Sequence, residues 1–372
     1  MKYYIIAGEA SGDLHGSNLI NEIIKIDSEA EIRGWGGDKM KKAGAKIIKH
    51  YKELAFMGFY EVIVNLRTIL NNINFCKKDI LNFNPDKIIF IDYPGFNLRI
   101  AKWAKSDKNN FKTYYYIAPQ IWAWNENRIH EIKKYINYLY VILPFEKDFF
   151  EIKHNFPVKY LGHPLLDSIK NFTKIENTDF IKKNNIQSNK PIIAILPGSR
   201  KQEIKKILSI MVDIIDDFTD YQFIIAAAPN IETSYYKNII KNKNVIIIKN
   251  QTYQILSMSK AAIVTSGTAT LETAILKVPQ VVCYKSSLLS FLLAKIIIKI
   301  KFISLVNLIM NKEIVKELIQ NNCTKQNITI ELKNILDLNK RKDILIKYDQ
   351  LISKLGSSGS SKRIAIDIVL NK

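Results

Sequence analysis

The sequence predicts an α/β protein of two domains, each a parallel sheet with helices on both faces. Three observations carry this. Short apolar runs alternate with longer helical patterns, as strand–helix–strand units require. The alternation breaks at a polar stretch, Asn171–Lys190, and then restarts. The chain has 372 residues, which is enough for two ordinary hydrophobic cores.

In the first half, Tyr3–Ala7, Lys87–Ile91, Thr113–Ile117, Tyr138–Ile142 and Val158–Leu161 read as strands. Strands covered on both faces are apolar throughout rather than alternating, and these runs fit that pattern. Helical segments such as Leu14–Ile26 and Leu98–Lys105 separate most of them. Ile192–Leu196, Phe223–Ala227, Val245–Ile248, Ala261–Thr265 and Gln280–Cys283 form a second set. The halves join near Gly162–Asp167. The Gly356–Ser361 stretch is a turn before a final amphipathic segment, Ile364–Leu370. We place a first domain at 1–165, completed by 345–372, and a second at 166–344. Open α/β sheets bind ligands beyond the carboxyl ends of their strands. Two such domains facing each other would share one site in the cleft between them.

Apolar residues make up 47% of the chain and charged residues 24%, which excludes a disordered protein. Lys plus Arg is 55 against 35 Asp plus Glu, a formal net charge of +20. That balance favours anionic partners. A nucleic-acid module would add a basic stripe interleaved with stacking aromatics, and the sequence has none. Cys76, Cys283 and Cys323 are far apart in sequence and form no CxxC pair, so neither a disulfide framework nor a zinc site is expected. The amino terminus lacks the pattern of a signal peptide, and no apolar run reaches the roughly 18 residues of a spanning helix. A cytoplasmic location is the expectation.

The loops carry the chemistry. The first strand runs into Gly8-Glu9-Ala10-Ser11-Gly12-Asp13, where glycines permit a tight turn and the next helix start offers N–H groups to an anion. The strand Ile88–Ile91 ends in Asp92, followed by Tyr93-Pro94-Gly95-Phe96-Asn97. A partly buried carboxylate there is a good proton acceptor, because desolvation raises its pKa. Asp92 could instead cap the next helix. In the second half, Leu196 leads to Pro197-Gly198-Ser199-Arg200 and then Glu203. A guanidinium on such a loop suits a diphosphate, or pairs with Glu203 on the surface. Thr265-Ser266-Gly267-Thr268-Ala269-Thr270-Leu271-Glu272 ends a strand and opens a helix. Ser266, Gly267 and Thr268 there can hold phosphate oxygens, and Glu272 can accept from ribose hydroxyls. A plain N-cap explains Ser266 or Thr268 equally well. No strand-end DxD pair occurs and the histidines show no ligand spacing, so no metal is expected.

Together these loops resemble the lipid-A-disaccharide synthase family. The matching segments are AGEASGD at 7–13, GWGG at 34–37, DYPGFN at 92–97, IAPQIWAW at 117–124, LPFE at 143–146 and GHP at 162–164. They continue with LPGSR at 196–200, SGTATLE at 266–272 and LVNL at 305–308. Each is weak alone, and the ordered set is specific. The resemblance implies a GT-B architecture and an inverting transfer that needs no cofactor. UDP-2,3-diacylglucosamine and 2,3-diacylglucosamine 1-phosphate give a β-1,6-linked disaccharide 1-phosphate and UDP. It implies Asp92 as base and Glu9 as a second active-site acid. Gly198, Ser199, Arg200, Ser266, Gly267, Thr268, Glu272 and Asn307 would surround the UDP-sugar. It also implies a homodimer with exchanged C-terminal elements. The rival readings are other GT-B enzymes, an undecaprenyl-linked N-acetylglucosaminyltransferase or a UDP-N-acetylglucosamine 2-epimerase.

Both substrates carry acyl chains, so a peripheral position on the cytoplasmic face of the inner membrane is expected. The stretch 56–70 offers an apolar stripe, with Phe59, Val62, Ile63, Leu66, Ile69 and Leu70 as its contacts. Residues 288–305, with Lys295, Lys299 and Lys301 among apolar neighbours, are a second membrane-facing or core candidate.

Overall fold

A computed structural model describes residues 1–54, 66–106, 109–170, 172, 175–241, 243–287 and 300–371. The chain forms two compact units, 1–167 with 357–372, and 168–356. The return into the first unit thus starts at Ser357, later than the expected residue 345. The reason is the unbroken helix Leu338–Leu355, which belongs to the second unit and buries Ile344, Tyr348, Leu351 and Leu355.

The first unit holds a seven-stranded sheet in the order β3-β2-β1-β4-β5-β6-β7. Its strands are β1 Lys2–Ala7, β2 Glu31–Gly36, β3 Lys46–His50, β4 Lys87–Ile91, β5 Lys112–Tyr116, β6 Tyr138–Val141 and β7 Lys159–Tyr160. All pairings are parallel. Successive residues point to opposite faces, and both faces are buried. Tyr4, Ile6, Ile88, Phe90 and Tyr115 enter one apolar cluster. Tyr3, Ile5, Ile89, Ile91, Tyr114 and Tyr116 enter the other.

The helix Ser360–Leu370 covers that second face with Ile364, Ala365, Ile368 and Val369. It is tied down at both ends. Asp167 accepts from the backbone N–H groups of Gly359, Ser360 and Ser361. At the other end, the buried Lys87 ammonium donates to the carbonyls of Ile368, Val369 and Asn371. These carbonyls lack helical partners, and a cation beside them also suits the helix dipole.

The second unit holds a six-stranded parallel sheet in the order β10-β9-β8-β11-β12-β13. Its strands are β8 Ile192–Leu196, β9 Gln222–Ala227, β10 Ile246–Lys249, β11 Ser259–Thr265, β12 Gln280–Tyr284 and β13 Lys316–Ile319. The Cys283 and Cys323 thiols, 40 positions apart in sequence (323 − 283), hydrogen-bond to one another here, and both cysteines are free.

In each sheet the winding reverses once, between β1 and β4 and between β8 and β11. Crevices open at such reversals, because the flanking connections leave on opposite faces. The loops singled out by sequence follow these four strands.

No helix among the described residues is long and apolar enough to cross a membrane. Of the proposed acyl-contact stripe, Phe59, Val62 and Ile63 lie outside the described residues, as does the side chain of Leu66. The helix Leu66–Phe83 sends Ile69 into the first unit's core, whereas Leu70 is 48% exposed. The two therefore do not share one lipid-facing stripe. Residues 288–299 of the second candidate also lie outside the described residues.

Candidate active site

In the first unit, the loops after β1 and β4 interlock. The Tyr93 ring lies flat against Gly8, where an added Cβ would come within 2.4 Å of ring carbons. Only a glycine permits that approach. Asp92 and Tyr93 both sit in the left-handed region, with φ of 46° and 50°. Two consecutive non-glycine residues there are strained, by about 1–2 kcal/mol each. The surroundings hold them in place. Tyr115 Oη and Asn97 Nδ2 each donate to the Asp92 carbonyl at 2.7 Å. Tyr93 stacks on Phe96 with ring centres 5.6 Å apart.

Asp92 does not cap the following helix, Pro94–Ala104, whose N-cap is Tyr93. Burial, with the Glu9 charge on the neighbouring loop adding to it, pushes the Asp92 carboxyl from 3.8 up to about 6. Glu9 is itself the N-cap residue of the helix Ala10–Ile26 and makes no side-chain capping bond. Asp13 from the same motif has a structural task. Its carboxylate accepts from the N–H groups of Gly37, Lys39 and Met40, joining the first loop to the GWGG segment.

Behind this site lies a second buried acid. Glu146 accepts from Trp122 Nε1 at 2.9 Å and from the backbone N–H groups of Ile142 and Leu143. Burial raises its carboxyl to about 7, against the pull of those donors. The LPFE and IAPQIWAW motifs meet in this contact. His15 and His163 are also buried, and desolvation lowers them to about 4 and about 3, so both are neutral imidazoles.

In the second unit a cavity of about 290 Å³ opens beyond β8 and β11. Gly198, Ser199, Ser266, Gly267, Thr268 and Glu272 all line it. Gly198 has φ of 101°, a left-handed turn that a side chain would strain. The helix Thr268–Ile275 points its first turn at the cavity and has no side-chain cap. Its N–H groups and dipole suit an anion. Glu272 is held by Tyr253, whose hydroxyl donates to it at 2.7 Å. Burial nevertheless raises the Glu272 carboxyl above its ordinary value. Tyr253 carried no signal in the sequence.

Two of the expected UDP-sugar contacts, Asn307 and Ser266, are corrected. Asn307 is fully buried and spends its amide inside the protein. Nδ2 donates to Val315 O and Glu317, and Oδ1 accepts from the N–H groups of Ile314 and Val315. An amide so occupied has no donor or acceptor left for a ligand. Ser266 likewise uses both donors internally, its hydroxyl on Ile303 O and its N–H on Cys283 O. Arg200 lies outside the cavity lining and pairs with Glu203 at 3.2 Å, with 62% of its side chain exposed. Among the described residues no group of three His, Cys, Asp or Glu side chains could hold a metal ion.

Residues 3–366 match the family described as lipid-A-disaccharide synthetase. The chain belongs to this family. Relatives named lipid-A-disaccharide synthase include one from Coxiella burnetii, 36% identical over 366 residues, covering 97% of this chain and 96% of the relative. Another, from Syntrophus aciditrophicus, is 36% identical over 370 residues, covering 97% and 95%. Solved structures share the fold of this chain. The UDP-GlcNAc 2-epimerase from Neisseria meningitidis superposes with a TM-score of 0.69 at 14% identity, covering 100% of each chain. The calicheamicin glycosyltransferase CalG4 gives 0.60 at 12% identity and 99% coverage of each. The fold is thus the GT-B class of glycosyltransferases and epimerases, as the resemblance implied.

Proposed function

We propose that this chain is an inverting glycosyltransferase that joins UDP-2,3-diacylglucosamine to 2,3-diacylglucosamine 1-phosphate by a β-1,6 link and releases UDP. Membership of the synthetase family supports the substrates. The observation that carries the mechanism is Asp92, a carboxyl held at about 6 on a strained turn at the end of β4.

Inversion is a single displacement. The 6-hydroxyl of the acceptor gives its proton to the Asp92 carboxylate as its oxygen attacks the anomeric carbon. The bond from that carbon to the diphosphate breaks on the opposite face, and its electron pair leaves with UDP. A base raised toward neutrality accepts the proton readily while remaining mostly ionised at pH 7. Glu9 supplies a nearby negative charge that keeps Asp92 basic. On the donor side, the free N–H groups at Gly267 and Thr268 and the helix dipole stabilise the charge growing on the diphosphate. Gly198 and Ser199 shape the facing wall, Arg200 reaches in by releasing Glu203, and Glu272 receives the ribose hydroxyls. Asn307 and Ser266 serve as supports of this wall.

Both substrates are lipids, so the reading includes work at the inner face of the membrane. Purified protein with the two acylated substrates should release UDP in step with disaccharide formation. Epimerisation of UDP-N-acetylglucosamine without an acceptor would favour the rival reading instead.

A further inference from the structure

Beside the Asp92 loop the first unit carries a second cavity, of about 400 Å³. Pro94 and Gly95 form one wall, with Arg99 one turn further along the same helix. Asn125, Asn127 and Arg128 form the other. A Cβ placed on Gly95 would meet nothing within 4 Å, so the wall next to the base is open.

The two guanidinium groups are uncommitted. Neither Arg99 nor Arg128 has an ion-pair partner among the described residues. Acids are close by without using them. Glu126 is taken by Lys153 at 2.6 Å and His154 at 2.9 Å. Glu131 lies on the cavity rim and pairs with neither arginine. Arg128 is also aimed, since its guanidinium lies 5.0 Å from the ring centre of Trp124. Trp124 is 51% exposed, an unusual place for an indole with no core to fill. A guanidinium stacked on an aromatic face keeps its edge free for a bidentate anion.

We propose that this cavity receives the phosphate monoester of the acceptor sugar, gripped by Arg99 and Arg128 with the Asn125 and Asn127 amides completing the cradle. This rests on the function proposed above and adds to it the residues that recognise the acceptor's charged end. The spacing suits it. Helix rise puts Arg99 about 7.5 Å along the axis from Pro94, the residue next to the Asp92–Tyr93 turn. On this proposal one hexose ring lies between the base that takes the 6-hydroxyl proton and the site that holds the 1-phosphate. Two arginines discriminate sharply, because charge-assisted forked hydrogen bonds to phosphate have no equivalent for a bare hydroxyl.

The test compares wild type with Arg99→Gln, Arg128→Gln and the double variant on two acceptors, 2,3-diacylglucosamine 1-phosphate and its dephosphorylated form. Each single change should raise the KM for the phosphorylated acceptor about tenfold, and the double change about a hundredfold. The preference for the phosphorylated acceptor should collapse together with it. The KM for UDP-2,3-diacylglucosamine and kcat at saturation should stay within about threefold, since a lost ground-state contact acts on KM alone. Inorganic phosphate should compete with the acceptor in wild type and lose that competition in the double variant. Arg128→Lys keeps a cation over Trp124 and should retain part of the preference, which separates recognition from folding. An unchanged acceptor KM or an undiminished preference overturns the proposal. So does loss of binding to phosphatidylglycerol vesicles with acceptor discrimination intact, which would make the cavity a headgroup site. No UDP release by wild type from any acceptor would instead refute the function on which it rests.

Discussion

Replacing Asp92 with Asn should make the protein slower and more stable at once. Holding the carboxyl at about 6 rather than 3.8 costs the folded state about 3 kcal/mol at neutral pH, since each pH unit is worth about 1.4 kcal/mol. Partial exposure of the side chain reduces this to about 2 kcal/mol. Asn carries no charge to desolvate and also tolerates the left-handed backbone at this position. The melting temperature of the first unit should therefore rise by about 4 °C. The folded carboxyl binds its proton more tightly than the unfolded one, so wild-type stability falls as pH rises from about 4 to about 6. The variant should lack that slope. Turnover should fall by about 10²–10⁴-fold, the usual worth of a general base, and wild-type kcat should rise with pH through about 6 as the base ionises. Calorimetry across pH and UDP release with both acylated substrates read the two effects separately. Turnover within tenfold of wild type, or a lower melting temperature with the slope retained, would refute the reasoning.

Asn307→Ala should cost about 3 kcal/mol or more, because it strands the buried N–H groups of Ile314 and Val315. A weaker UDP affinity with unchanged melting would show instead that Asn307 touches the ligand. Tyr253→Phe removes the hydroxyl that holds Glu272 and should weaken UDP binding about fivefold by calorimetric titration; unaltered binding would separate Glu272 from the ribose. Glu146→Gln should stay within about 1 kcal/mol of wild type in urea unfolding, while Glu146→Ala should lose about 3 kcal/mol by leaving three donors unpaired. Equal losses in both would mean that the negative charge, rather than the hydrogen bonds, is what the site needs.

The buried strands were legible because a run covered on both faces is apolar throughout. β2, β3 and β13 were not. β2 carries glycines at Gly34 and Gly36 and a polar start, while β3 and β13 are edge strands that alternate with Lys and Glu. Their pairing comes from neighbours rather than from their own pattern. The four chemical loops were legible because glycine, proline and carboxylates at strand ends have few other reasons to occur together. Side-chain direction was not. Asn307 in LVNL and Ser266 in SGTATLE read as ligand contacts by position, yet each finds its partners in the backbone nearby. Arg200 left two readings open, and its pairing with Glu203 is the one seen here. Tyr253 and the Glu146–Trp122 contact depend on approaches between segments that no local pattern records.

The helix Ser360–Leu370 fixes an order of events during synthesis. Its Ser360 hydroxyl bonds to Gly162 O across 198 residues of sequence. When a ribosome has finished the first sheet, the part of its second face that Ile364, Ala365, Ile368 and Val369 cover is still open, although Leu19, Ile20 and Ile23 already cover the rest. The second unit has all its own strands by Ile319 and its last helix by Leu355, so it can close first. The first unit's core is therefore completed only after the whole of the second unit has been synthesised. Until the returning helix docks, the apolar surface that Ile364, Ala365, Ile368 and Val369 will cover stays open. That interval is when the nascent chain is most exposed to aggregation and most in need of a chaperone.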